Sequence, residues 1–280
     1  MKAEEFTEIV ERALREDLAD RGDITSESVV AEGSRSQGNV VAREHGVIAG
    51  LVVAEYVFST VDPGVVFEAM VEDGAAIAGG EVVATVTGAS RSILAAERTA
   101  LNLLARMSGV ATATAALVAA VGGTRARITD TRKTMPGLRA IDKYAVVAGG
   151  GVNHRMGLYD QVMIKDNHIV AAGDIRSAVA ATREANGPEI EVIVEVESLD
   201  QLDEALETSA DRVLLDNMDP ATLRTAVEKV GGKMETEASG GITLDTVRAI
   251  AETGVDFISV GWITHSTPQL DLALDFLPRS

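Results

Sequence analysis

From residue 126 onward the chain alternates β-rich runs with helical segments at a nearly fixed interval. The runs are ARITD, QVMIKD, IEVIVEVE, RVLLDN, METEASGG and DFISVGW, and the last four end near Glu195, Asp216, Ser239 and Gly261, 21 to 23 residues apart. Segments such as SLDQLDEALETSA and TLDTVRAIAETG fill the intervals with helical spacing. Strand–helix units of this length close into right-handed crossovers and so into a parallel sheet. Six runs are fewer than the eight of a closed barrel, so the expectation is an open, incomplete α/β barrel. In such barrels the ligand sits where the strands end, at the C-terminal rim.

The preceding residues have another texture. Phe6, Ile9, Val10, Ala13, Leu14 and Leu18 fall at helical spacing. Between 38 and 88, short Val/Ile runs broken by glycine predict strands, with a helix near 50–59. Residues 92–121 predict a long helix broken at Gly109. The closing segment QLDLALDFLP has no place in the barrel. The expected division is a first domain over 1–109, with 269–280 packing back on it, and a barrel domain over 110–268.

Charge excludes several functions and points to another. The 280 residues carry 25 Lys/Arg against 43 Asp/Glu, a net charge of −18. Nucleic acid and anionic membrane are therefore poor candidate partners. The chain has no cysteine, which excludes thiol catalysis and fits a reducing compartment. Its acidic, amphipathic start is unlike a signal peptide, and no uncharged apolar run of spanning length is seen. A cytoplasmic protein is expected. Yet between 125 and 165 there are eight Lys/Arg and three acids, reversing the balance of the whole chain.

Those cations sit where strands end. Thr131, Arg132 and Lys133 follow the first run, and Lys165 ends the second. Between them Gly149-Gly150-Gly151 lead into Asn153, His154 and Arg155. An Arg-Lys pair is ordinarily a solvated turn, and one glycine after a helix is ordinarily its cap. Three loops each aiming a cation at one rim are harder to dismiss, and extra glycines let a backbone approach a ligand. Later runs offer carboxylates: Glu195 or Glu197, which share a face by alternation, and Asp216. Two carboxylates opposite cations suit Mg²⁺, which keeps water and substrate oxygens. Ser239-Gly240-Gly241 and Ser259-Val260-Gly261 close the last two runs, where barrels hold phosphate on backbone N–H groups, with His265 just beyond. The expected ligand is phosphorylated and multiply anionic, with a second acid held by arginine forks.

GDIT at 22–25, ERTALN at 97–102, TRKTMPG at 131–137, GGGVNHRMGLYD at 149–160, KDNH at 165–168, EVE at 195–197, LDN at 215–217, EASGGI at 237–242 and SVG at 259–261 occur in one order. In this the chain resembles the quinolinate phosphoribosyltransferases. The resemblance implies an N-terminal α/β sandwich domain, an open α/β barrel and a homodimer with composite sites. It implies transfer of phosphoribosyl from 5-phosphoribosyl 1-pyrophosphate to quinolinate, with decarboxylation, for NAD biosynthesis. Thr131, Arg132, His154, Arg155 and Lys165 would hold quinolinate, joined by Arg98 from the partner subunit. Lys133 and Lys165 would face the pyrophosphate and the reacting centre. Glu195 and Asp216 would serve ribose and Mg²⁺, and Ser239, Gly240, Gly241, Val260, Gly261 and His265 the phosphates. Trp262 departs from the small residue expected there. The rival readings are a paralogue acting on another ring acid and a non-catalytic phosphosugar-binding barrel. The VEDGAAIAGGEVVATV hairpin has the look of a biotinyl carrier, but Val71 stands where the modified lysine would be.

Overall fold

The structure, a computed structural model, describes residues 2–278 and divides into two compact units. The first comprises residues up to Ala115 together with Thr134–Gly150 and the chain from Thr264 onward; the second comprises Ala116–Lys133 and Gly151–Ile263. Residues 134–150, placed with the barrel by the division at 109/110, thus group with the first unit. Residues 279 and 280 of the closing segment lie outside the described residues.

The first unit is built on a four-stranded antiparallel sheet in the order Leu272–Phe276, Arg35–Ala42, Val82–Ala89, Val66–Ala69. The closing segment supplies its edge strand, with Val40 opposite Leu274 and Ala42 opposite Leu272. Helix Leu51–Val61 buries Val53, Ala54, Val57 and Phe58, and Phe58 stacks on Phe67 with ring centroids 5.8 Å apart. Its first turn is capped from a distance: Asp73 accepts the Gly50 and Leu51 N–H groups, at 2.9 and 3.1 Å, and the Tyr144 hydroxyl at 2.7 Å. Burial and the Asp73 charge push the Tyr144 phenol upward, out of the usual tyrosine range. Aliphatic side chains carry this core, as the low aromatic content requires.

Helix Ser90–Ala120 runs 31 residues without interruption, so the break expected at Gly109 is absent. By length and composition it could cross a membrane, but most of its apolar stretch is buried within the protein. Ile93, Ala96, Leu104, Met107 and Val110 are each at most 1% exposed. Gly109 serves close packing instead of a kink, since a Cβ there would run into the Pro268 carbonyl and the Gln269 backbone. Gly149 does the same from the other side, against the Ala111 carbonyl and Thr114. It occupies the cap position of helix Arg139–Ala148 in an ordinary right-handed conformation, with φ −76°. The first glycine of the GGG run therefore serves close packing against helix Ser90–Ala120.

The second unit is a six-stranded parallel sheet flanked by helices, an open α/β barrel. Its order is Arg127–Thr129, Phe257–Ser259, Glu235–Ser239, Arg212–Asp216, Val192–Val196, Val162–Ile164. Each strand lies within one of the six predicted runs. Val192, Ile193, Val194, Val213 and Leu215 are fully buried, as parallel strands covered on both faces must be. The first and last strands in this order do not pair with each other. A parallel bridge from Thr129 to Val152 extends one edge. Side-chain caps start the crossover helices: Asp174 accepts from Ser177 N–H, Ser198 from Gln201, and Asp219 from Ala221 and Thr222.

The Gly109 contact gives a direct test. Gly109→Ala should lower stability by about 1–3 kcal/mol through overpacking, read as a lower urea midpoint with the helical circular dichroism retained. An unchanged midpoint would show that the 268–269 backbone yields freely.

Candidate active site

A pocket of about 300 Å³ opens among the strand ends of the second unit. Thr131, Arg132 and Lys133 line it from the first strand, Met163 and Lys165 from the second, and Glu195 and Leu214 from the next two. Glu237, Ser239 and Ser259 complete it with His154 and Arg155. Its volume is at the small end of the range for ligand pockets. The sequence places Thr131, Arg132, Lys133, His154, Arg155, Lys165, Glu195 and Ser239 at one rim, and the fold brings all eight together.

The cations are held by an edge-strand extension. Val152 N–H donates to the Ile128 carbonyl at 2.9 Å, and His154 N–H to the buried Asp130 carboxylate at 2.9 Å. Arg155 follows, its Nη1 donating to the Gln161 carbonyl at 3.1 Å, and Asp160 accepts the Met156 and Gly157 N–H groups. Burial and the Arg132 charge pull the Arg155 guanidinium below its ordinary pKa, partly offset by Asp160. Two guanidiniums opposed in a partly buried pocket are a standing electrostatic cost. A ligand carrying two carboxylates would relieve it through bidentate pairs.

Lys165 ends the opposite edge strand and pairs with Glu195, whose side chain is 13% exposed. The ambiguity between the two glutamates resolves here: Glu195 lies in the strand and lines the pocket, while Glu197 lies past its end and is exposed. Asp216 ends the neighbouring strand, and its Oδ2 accepts from the Asn217 amide at 2.6 Å. Among the described residues, no three His, Cys, Asp or Glu side chains gather as a metal site. Glu195 and Asp216 lie on adjacent strands, and carboxylate oxygens are the donor type that Mg²⁺ prefers.

The glycine loops are interlocked. Asn217 adopts φ 55°, unusual for a residue with a side chain, and its N–H donates to the Ser239 carbonyl at 2.9 Å. Gly240, at φ 104°, lies against the Asn217 side chain, which any Cβ would strike. Val260 is 1% exposed and its N–H donates to the Thr129 carbonyl, so it contributes backbone alone. Trp262 Nε1 donates to the Ile242 carbonyl at 3.0 Å, joining the loop after Gly261 to the loop after Gly241. The bulky residue thus acts as a brace. His265 lies in the first unit, exposed, with Nδ1 2.5 Å from Ser266 Oγ. Arg98 is also in the first unit, on the long helix, with its side chain 64% exposed and Glu97 3.8 Å away.

Sequence reasoning missed Asp130, Glu237 and Arg212. Alternation along Glu235–Ser239 does place Glu237 on the face of Ser239, the one signal available.

The fold and this rim define a class: an open α/β barrel built round a polyanion. The family model described as quinolinate phosphoribosyl transferase, N-terminal domain, matches residues 23–108, and its C-terminal-domain counterpart matches 110–275. The chain belongs to the quinolinate phosphoribosyltransferase family. It is 47% identical over 273 residues to the nicotinate-nucleotide pyrophosphorylase [carboxylating] of Mycobacterium leprae, covering 95% of each chain. To the probable nicotinate-nucleotide pyrophosphorylase [carboxylating] of Bacillus subtilis it is 44% identical, over 91% of this chain and 88% of the other. The structure of the nicotinate-nucleotide pyrophosphorylase from Francisella tularensis matches with a TM-score of 0.95 and 39% identity, covering 99% and 98%.

Trp262 is the single tryptophan, so its emission reports on the brace between the loops. Adding pyrophosphate with Mg²⁺ should change that emission, and Gly240→Ala should abolish the response with circular dichroism unchanged. The same titration in parent and variant would separate the loops from phosphate binding.

Proposed function

We propose that the chain transfers the phosphoribosyl group of 5-phosphoribosyl 1-pyrophosphate to quinolinate with decarboxylation. The products are nicotinate mononucleotide, pyrophosphate and CO₂, a step of de novo NAD biosynthesis. The observation that carries this reading is that Arg132, Arg155 and Lys165 line one small pocket, a set of cations suited to a compact diacid.

Arg132, Arg155 and Lys165 hold the two carboxylates of quinolinate, with His154 and Thr131 packed among them. The pyridine nitrogen attacks C1 of the ribose as the bond from C1 to the pyrophosphate oxygen breaks, through an oxocarbenium-like state. Lys133 neutralises charge on the departing pyrophosphate, and Glu195 and Asp216 orient the ribose hydroxyls. Ser239, Gly240, Gly241 and Gly261 cradle phosphate; Val260, its N–H already donated to the Thr129 carbonyl, serves only to hold that loop. Glu195 and Asp216 would hold Mg²⁺, whose charge would neutralise the departing pyrophosphate. Decarboxylation follows at the ring carbon next to the quaternised nitrogen. The C–C electron pair falls toward that nitrogen, and a proton replaces CO₂. The substrate's own cation is the electron sink, so no organic cofactor enters.

The enzyme works as a homodimer in the cytoplasm, and Arg98 serves the partner's site. The exposure of its side chain on the first unit supports that reading.

Substrate choice tests the diacid reading. Nicotinate has one carboxylate, and losing a charge-assisted pair costs about 1.5–3 kcal/mol, so it should react about one to two powers of ten less efficiently than quinolinate. Comparable kcat/KM for the two acids overturns the reading in favour of a paralogue for another ring acid. Release of CO₂ with nicotinate mononucleotide distinguishes catalysis from phosphosugar binding alone.

The dimer has its own test. Inactive Arg98→Ala and Lys165→Ala chains, co-expressed, should recover roughly a quarter of parental activity, because half the dimers are mixed and each carries one intact site. Mixed dimers without activity would return Arg98 to its own subunit or remove it from the site.

A further inference from the structure

Glu237 is fully buried in the middle of strand Glu235–Ser239, yet it lines the pocket intended for a dianion. A carboxylate there opposes the ligand's charge, so something must require it. Its Oε2 lies 3.2 Å from Arg212 Nη1 and 3.5 Å from His154 Nε2, the latter an ion-pair distance outside hydrogen-bond geometry. Burial pushes the Glu237 pKa up, but the His154 contact, the Arg212 charge and Ser259 outweigh it and hold the carboxyl below its ordinary value.

Arg212 begins strand Arg212–Asp216 and so enters from the opposite end of the barrel. Its Nη2 pairs with Glu191 at 2.8 Å and Glu235 at 2.9 Å, and its guanidinium lies 3.9 Å from the Phe257 ring centroid. Those partners satisfy Arg212 without Glu237, so Glu237 is not needed to neutralise it. Nor is Glu237 fully used by the fold: Oε1 is buried with no partner in hydrogen-bond geometry among the described residues. The rest of the chain of contacts leads to the rim. His154 Nδ1 accepts the Arg155 N–H at 2.7 Å, and the His154 N–H is held by Asp130. Both ring nitrogens thus face protein groups.

We infer that Glu237, anchored by Arg212, is a positioning residue that fixes the His154 imidazole and through it Arg155, so setting the geometry of the acid-binding cations. His154 then serves the substrate by orienting Arg155, a different role from the direct carboxylate contact that family resemblance implies. The inference rests on the proposed activity with quinolinate.

The test is Glu237→Gln, with KM for both substrates and kcat measured in the parent and in His154→Ala backgrounds. Misplacing a binding group by about 1 Å can cost on the order of a hundredfold, so KM for quinolinate should rise about ten- to hundredfold, with KM for the phosphoribosyl donor nearly unchanged. In the His154→Ala background the same substitution should add nothing, because Glu237 acts through that ring. If Glu237 were only a charge opposing the substrate, Glu237→Gln would lower KM for quinolinate, and that outcome overturns the inference. So does an unchanged KM, an equal rise in the His154→Ala background, or a parallel loss for both substrates. Should the amide variant fail to fold, Glu237→Asp keeps the buried charge but draws it back from His154, and must give the same quinolinate-specific loss. A parent enzyme inert toward quinolinate would instead refute the proposed function and leave the geometry unexplained.

Discussion

The constraint on which the site depends is like-charge crowding. Arg132, Lys133, Arg155 and Lys165 line one pocket of about 300 Å³, where each like charge raises the cost of holding the others. Left to flexible loops, such groups would swing apart. Here each is fixed by backbone pairing: Arg132 and Lys133 by the strand end at Thr129, Arg155 by the Val152 bridge and Asp130, Lys165 by the end of Val162–Ile164. The parallel sheet is the scaffold that holds these cations at one rim, and their repulsion in turn favours a compact dianion between them.

Much of this was legible in the sequence because it follows from period and position. The repeat of 21 to 23 residues demanded parallel strands, and parallel strands put every run's end on one rim. What eluded reading depends on contacts between distant segments. Gly109 looks like a helix break by propensity, but the Pro268 carbonyl 159 positions later decides its role. Glu197 and Glu195 are equivalent by alternation, and only the strand's end at Val196 separates them. Glu237 was invisible as a site residue because the motif holding it reads as a glycine loop. Its partner Arg212 lies 25 positions away, at the far end of the neighbouring strand.

The sheet order adds an arrangement that chain order conceals. In sequence the cation-bearing strands come first and second, the carboxylates third and fourth, and the glycine loops last. In space the first strand lies beside the last, so Thr131–Lys133 adjoins the loop at Ser259–Gly261. The second strand, ending at Lys165, lies beside the third, ending at Glu195. Cations therefore flank both sides of the series, with carboxylates and glycine loops between them. A phosphoribosyl donor laid across the inner strands would meet the carboxylates at its ribose and the loops at its phosphates. The two edge strands do not pair, and an open edge leaves that side of the rim unclosed. Eight strands would close the ring and put a further strand end between Arg132 and Lys165. Six leave that side to the segment bridged at Val152, which brings His154 and Arg155 to the rim beside Thr131 and Arg132.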